Sequence, residues 1–233
     1  METDEERIQG IERKNTALGE IARRQSNLHR LVAQAWERLK SGPNGGELSL
    51  GGYRLVKRRN IIIALPSEFS EGQHPVVVYP NPKHFDVYAA SRTRSPKSVY
   101  WGDINPKAVG TIFAFRYPPP EIPYSSKHGD LKLFISDIQA HSKTNGENPL
   151  PRKRAREHQG WDVAGLQEIF KAALRQGLFP LKILGDTFEE HPKYGLRHGI
   201  AKLCKRSGLV SFPGHNKSII IDKVNHGIDY TGV

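Results

Sequence analysis

The sequence predicts an α+β fold with a long N-terminal helix, a central antiparallel β-rich domain and a C-terminal domain of helices followed by a hairpin. Apolar residues recur every three or four positions over residues 1–40, and short β-branched and aromatic runs occupy residues 47–140. A helical period returns over residues 161–233. The polar segment 141–160 separates the last two regions and predicts an exposed basic linker.

The N-terminal segment 1–40 contains no proline and places its apolar side chains on a heptad seam. Between Ile11 and Leu39, the a and d positions are apolar except for Lys14 and Gln25. A seam this narrow is buried either against its own domain or against a second copy of the chain in a coiled coil. The second alternative predicts a homodimer in which Gln25 sets the register.

The central segment contains short runs that are rich in β-branched and aromatic residues and are bounded by Pro, Gly or Asn. Runs of this length and spacing predict a twisted antiparallel sheet or a small barrel. The runs are Tyr53–Leu65, Val76–Tyr79, Phe85–Ala90, Ser98–Trp101, Thr111–Tyr117 and Leu131–Ile138.

The C-terminal segment predicts three helices and a hairpin. The first helix follows Trp161 and stops at Gly177, and the second is predicted over Leu181–Glu190. The third, Tyr194–Arg206, has an apolar face opposite a cationic one. Two strand-like runs, Leu209–Phe212 and Ser218–Asp222, then form the hairpin.

The net charge of the chain indicates the class of its binding partner. The chain has 35 Lys and Arg against 24 Asp and Glu, a net charge of +11, which favours a polyanion. Phosphate-cradling glycine motifs, zinc-ligand spacings and apolar runs long enough to cross a membrane are missing from the sequence, so neither a cofactor nor a membrane partner is expected. The single Cys204 forms no internal disulfide, which predicts a cytoplasmic or nuclear location.

The C-terminal pattern resembles the winged helix-turn-helix superfamily over residues 161–223. In that superfamily the third helix enters the major groove of DNA and the hairpin contacts the backbone or the minor groove. The resemblance implies a double-stranded DNA partner and a transcription regulator or an accessory factor of replication or recombination. The DNA-contacting residues that it implies are Arg197, Lys202, Lys205, Arg206 and Lys217.

A second basic cluster lies in the predicted linker and consists of Arg152, Lys153, Arg154 and Arg156. As a flexible arm, the cluster would track the phosphate backbone of DNA. The same residues also match a nuclear-import signal, or they form a solvated linker without a binding role. An RNA-binding or structural nucleoprotein would use the same charge without reading bases.

A catalytic alternative depends on Asp130 and Lys132 at the start of an apolar strand, with Asp103 upstream. Metal-dependent nucleases of the restriction-enzyme type hold Mg²⁺ between two carboxylates and place a lysine two residues after the second one. Near the C-terminus, His226 and Asp229 form a possible general-base pair. The nuclease is the alternative that requires Mg²⁺.

Overall fold

The computed structural model describes residues 25, 27–39, 46–70, 72–91, 104–116, 131–141, 149–185, 193–214 and 216–224, and these form one continuous nine-stranded sheet with helices on both faces. Neighbouring strands are antiparallel except for β6 and β7, which are parallel. Their order is β1-β2-β3-β4-β5-β6-β7-β9-β8. The strands are β1 Glu47–Leu50, β2 Tyr53–Arg58, β3 Ile61–Pro66, β4 Gln73–Pro80, β5 Gly110–Phe115, β6 Leu133–Ala140, β7 Leu181–Ile183, β8 Leu209–Pro213 and β9 Ile219–Lys223.

The helices of the described part of the chain form two layers. Helix α1 lies on one face of the sheet, whereas α3, α4 and α5 belong to the layer on the other face. A short 3-10 turn, Pro82–His84, leads into α2. The helices are α1 Leu28–Arg38, α2 Phe85–Ala90, α3 Arg152–Glu157, α4 Trp161–Gln176 and α5 Lys193–Ser207.

The main core lies between the sheet and the α4–α5 layer. Alternate strand residues such as Ile63, Val78 and Ile112 point into it, as the period of two in a strand requires. Helix α4 approaches the sheet closely because Gly165 has no side chain there. A Cβ at Gly165 would lie 2.5 Å from the Ile112 side chain. The predicted apolar stripe of the first C-terminal helix is confirmed as the buried side of α4.

The predicted fold class is wrong, because the structure has no separate central and C-terminal domains in its described part. Strand β7 pairs in parallel with β6, so the hairpin β8–β9 extends the sheet that begins at β1. The physical reason is that β6 would otherwise present an unpaired apolar edge, and pairing with β7 satisfies its backbone groups. The crossover between these two parallel strands contains α3 and α4.

The described residues also give no evidence of the predicted long N-terminal helix. Helix α1 begins at Leu28, and residues 1–24 lie outside the described residues. Its seam residues Leu28, Val32 and Ala35 are fully buried against the sheet of the same chain. Gln25 is 2% exposed, and its side-chain oxygen accepts a hydrogen bond from Asn105 at 2.5 Å. The described part of the seam therefore packs on its own chain, and homodimerisation stays a prediction.

Two local predictions in the central and C-terminal segments are wrong as well. The run Phe85–Ala90 is a helix, because the side chain of Asn81 caps the preceding turn and Phe85 and Tyr88 are buried three residues apart. The segment Leu181–Ile183 is the strand β7 rather than the start of a helix. The predicted strand Ser98–Trp101 lies outside the described residues.

Candidate nucleic-acid interface

The layer formed by α3, α4 and α5 carries most of the net charge. Together these three helices contain eleven Lys or Arg and three Asp or Glu, a net charge of +8 against +11 for the whole chain. Two of the three carboxylates, Glu157 and Glu168, are paired with cations of the same layer. The outer side of the layer therefore presents an excess of positive charge.

Helix α5 separates its apolar and cationic residues into two faces, as the sequence predicts. Leu196, Ile200 and Leu203 are buried in the main core. On the other side, Lys202, Lys205 and Arg206 are exposed, and the structure gives them no ion pair within its described part. These three cations are available to a phosphate group.

Arg197 has a different place from the other cations of α5. Its Nη2 donates a hydrogen bond to the backbone oxygen of Lys217, at a distance of 2.5 Å. Lys217 and Asn216 both have positive φ at the tip of the hairpin. Arg197 therefore holds this tip beside α5, and Lys217 itself is exposed next to it.

Gly185 also lies close to the hairpin tip. A Cβ at Gly185 would lie 1.7 Å from the backbone oxygen of Asn216, so no other residue fits without a backbone shift. Gly185, which lies within the predicted second helix, is thus required by a close backbone approach. Gly185 and Arg197 thus both contact the backbone of the hairpin tip.

The predicted linker cluster lies in helix α3 rather than in an extended arm. Arg152, Lys153 and Arg156 are exposed, whereas Nη1 of Arg154 lies 2.7 Å from Oε2 of Glu157. The side chain of Arg154 is therefore engaged within the helix. Three of the four predicted residues remain available to a phosphate.

Helix α3 is anchored by the histidine that follows it. His158 is 4% exposed, and its Nδ1 lies 2.5 Å from the hydroxyl oxygen of Tyr88. Burial lowers the pKa of His158, which favours the neutral ring at neutral pH. Tyr88 is thus part of the core, as is Tyr79, whose hydroxyl donates to Asn105 at 2.8 Å.

A buried carboxylate joins α4 to the sheet, and sequence reasoning missed it. Glu168 is 1% exposed, and its Oε1 lies 2.8 Å from Nη2 of Arg58 and 3.0 Å from Nζ of Lys171. Arg54 approaches the other carboxylate oxygen at 4.0 Å. Lone charges are rarely buried, so a single Glu within an apolar helical stripe was the available signal.

The catalytic alternative gains no geometric support from the described residues. Lys132 is exposed, and its Nζ donates to the backbone oxygen of Gly177 at 3.3 Å. Asp103, Asp130, His226 and Asp229 lie outside the described residues. Among the residues that the structure does describe, His, Cys, Asp and Glu form no group of three that could hold a metal ion.

Cys204 is not a nucleophile of this surface. Its side chain lies on the buried side of α5, with 2% of the residue exposed. Burial raises the pKa of the Cys204 thiol to about 11, so the thiolate is scarce at neutral pH.

In the described segments, no helix combines the length and the apolar character that a membrane span needs.

Comparisons with protein-family models, with curated proteins and with solved structures found no match for this chain. The function is therefore inferred from the layer formed by α3, α4 and α5, which is called the basic layer below.

Proposed function

We propose that this protein binds double-stranded DNA through the outer side of the α3–α5 layer. The observation that carries the proposal is the location of a net charge of +8 on three helices that cover one face of the sheet. Lysines and arginines that neutralise phosphates release condensed counterions, which supplies most of the affinity for a polyanion. Lys202, Lys205 and Arg206 support this role, because they are exposed and have no ion pair among the described residues.

The corresponding biological role is that of a transcription regulator or an accessory factor of replication or recombination, acting in the nucleus or on the nucleoid. For the nuclease alternative, Asp103 and Asp130 lie outside the described residues, and the amino group of Lys132 contacts the carbonyl of Gly177. The exposed cations of α3 and α5 are the described feature that supports a function, and they favour binding.

The test is fluorescence anisotropy of a labelled duplex of about 30 base pairs, roughly three helical turns, over roughly 50 to 200 mM salt. We expect Lys202→Ala together with Lys205→Ala to weaken binding and to reduce the log–log salt slope by about two. The matched control is Arg30→Ala with Arg38→Ala, which removes two exposed cations from α1 on the opposite face of the sheet. Equal losses in both variants would contradict the proposal.

A further inference from the structure

The exposed cations of the basic layer come from two segments of the sequence that the tertiary structure brings together. Gly199 of α5 packs against Val163 in the first turn of α4, and a Cβ at Gly199 would lie 2.6 Å from the Val163 side chain. Helix α3 ends at Glu157, six residues before Val163, so the chain between them spans at most roughly 20 Å. This distance is shorter than one helical turn of DNA, about 34 Å.

Both segments also belong to the same side of the molecule. Ala155 of α3 packs on the main core, and Leu196 and Ile200 of α5 are buried in it. The exposed residues Lys153 and Lys202 therefore lie on the outside of one layer, away from the sheet. A single duplex laid on this layer can contact both helices.

The chemistry of α5 favours phosphate contacts over base contacts. Bases in the major groove are distinguished mainly by Arg bound to guanine, by Asn or Gln bound to adenine and by Asp or Glu bound to cytosine. The sequence of α5 contains no Asn, Gln, Asp or Glu. Of its two arginines, Arg197 donates to the hairpin backbone and Arg206 lies in the last turn, whereas a recognition helix contacts bases with its N-terminal residues. Lys202 and Lys205 act as point charges without planar geometry.

The position of the hairpin also favours contacts with phosphates over contacts with bases. Gly185 and Arg197 hold its tip against the body of the protein, so the tip does not project as a free arm into a groove. The exposed side chain of Lys217 then extends the charged surface beside α5. A surface of exposed lysines and arginines beside a hairpin that is held against the protein matches the phosphate backbone, which is the same for every sequence.

We propose that α3 and α5 form one phosphate-binding surface that grips the backbone of duplex DNA without reading its base sequence. This inference rests on the proposed function and specifies how the DNA is recognised. It differs from the winged-helix expectation, in which the third helix enters the major groove and reads bases.

The experiment uses the full chain, two unrelated duplexes of equal length and a library of random duplexes. We expect the two dissociation constants to differ by less than roughly tenfold, against the 10³-fold or greater preference typical of specific binding. We also expect the library to show no enriched motif after selection. Lys153→Ala with Arg156→Ala should reduce the salt slope by about two on both duplexes, as should Lys202→Ala with Lys205→Ala.

Each result separates the inference from the proposed function. An enriched motif, or a large difference between the two duplexes, would overturn sequence-independent binding while the DNA-binding proposal stands. An unchanged slope for the α3 variant, with Arg30→Ala and Arg38→Ala as the control, would overturn the shared surface. No binding by the unmodified protein, or preferential competition by RNA, would overturn the proposed function itself.

Discussion

At the scale of single residues, Glu168 decides how α4 joins the sheet. Its carboxylate is almost fully buried and faces Arg54, Arg58 and Lys171. Removing the carboxylate takes away the negative charge that these cations share, although Arg54, which is 8% exposed, also pairs with Glu47 at 3.0 Å. The cluster therefore ties the basic layer to β2.

We expect Glu168→Gln to lower the free energy of unfolding by about 2 kcal/mol, because the amide keeps the volume of the side chain but removes the buried negative charge that Arg58 and Lys171 face. Urea unfolding measures the change. The control is Glu157→Gln, which removes a more exposed partner of Arg154 and should have a much smaller effect. Comparable losses in the two variants would show that burial of Glu168 is not the cause.

His141 belongs to a buried polar network on the face of the sheet that α1 covers. Its Nδ1 donates to the backbone oxygen of Asn105 at 3.1 Å, so its Nε2 accepts from the hydroxyl of Thr111 at 3.0 Å. Burial lowers the pKa of His141 to about 4. Both contacts use the neutral ring, because a protonated Nε2 could no longer accept a hydrogen bond.

The pKa of His141 predicts a loss of stability in acid. The unfolded chain protonates this histidine near pH 6.5 and the folded chain only near pH 4, so between these values the unfolded state binds more protons. We expect this residue to remove about 3 kcal/mol of stability as the pH falls from 7 to 4. Urea unfolding across this range should show a weaker acid dependence in His141→Gln, whereas the exposed His198→Gln should retain it.

At the scale of the elements, α5 contains two glycines that have different roles. The structure gives a Cβ at Gly195 no neighbour within 4 Å, whereas Gly199 faces Val163 of α4 at short range. Glycine in a helix costs stability relative to alanine when nothing requires it. Only Gly199 is therefore explained by packing between α4 and α5.

We expect Gly195→Ala to raise the free energy of unfolding by about 0.5 to 1 kcal/mol, because alanine favours the helix and meets open space. Gly199→Ala should lower it by about 1 to 3 kcal/mol, because the added methyl group pushes α5 away from α4. Thermal unfolding of both variants checks the pair. Equal effects in the same direction would contradict the proposed helix contact.

At the scale of the whole molecule, the continuous sheet makes residues from β1 to β9 one structural unit. The parallel pairing of Leu133–Ile135 with Leu181–Ile183 connects the two halves that the sequence predicts as separate domains. Helices α1 and α4 lie on opposite faces of this sheet. Disrupting either half therefore exposes core residues of the other.

We expect one cooperative unfolding transition, because a single domain with a shared sheet unfolds in an all-or-none manner. The fluorescence of Trp36 reports on α1 and that of Trp161 reports on α4. Each is measured in a variant that retains it as the single tryptophan. The fluorescence midpoints in urea should coincide. Two separate midpoints would restore the prediction of independent domains.

Local sequence patterns are sufficient to predict several features of the basic layer. It predicted the third C-terminal helix, the hairpin and the exposure of Lys202, Lys205 and Arg206, and the structure confirms them. The period of a helix and the turn residues at its end act over a few positions, so the sequence contains them directly. The net charge of the chain is likewise independent of the fold.

The packing partners of these elements follow only from the folded structure. The short runs Phe85–Ala90 and Leu181–Ile183 are compatible with either helix or strand, and only their burial and pairing assign them. The heptad seam around Val32 suits any apolar surface, and here the sheet of the same chain provides it. Contacts such as Arg197 with Lys217, or Glu168 with Arg58, join residues far apart in sequence, so no local pattern contains them.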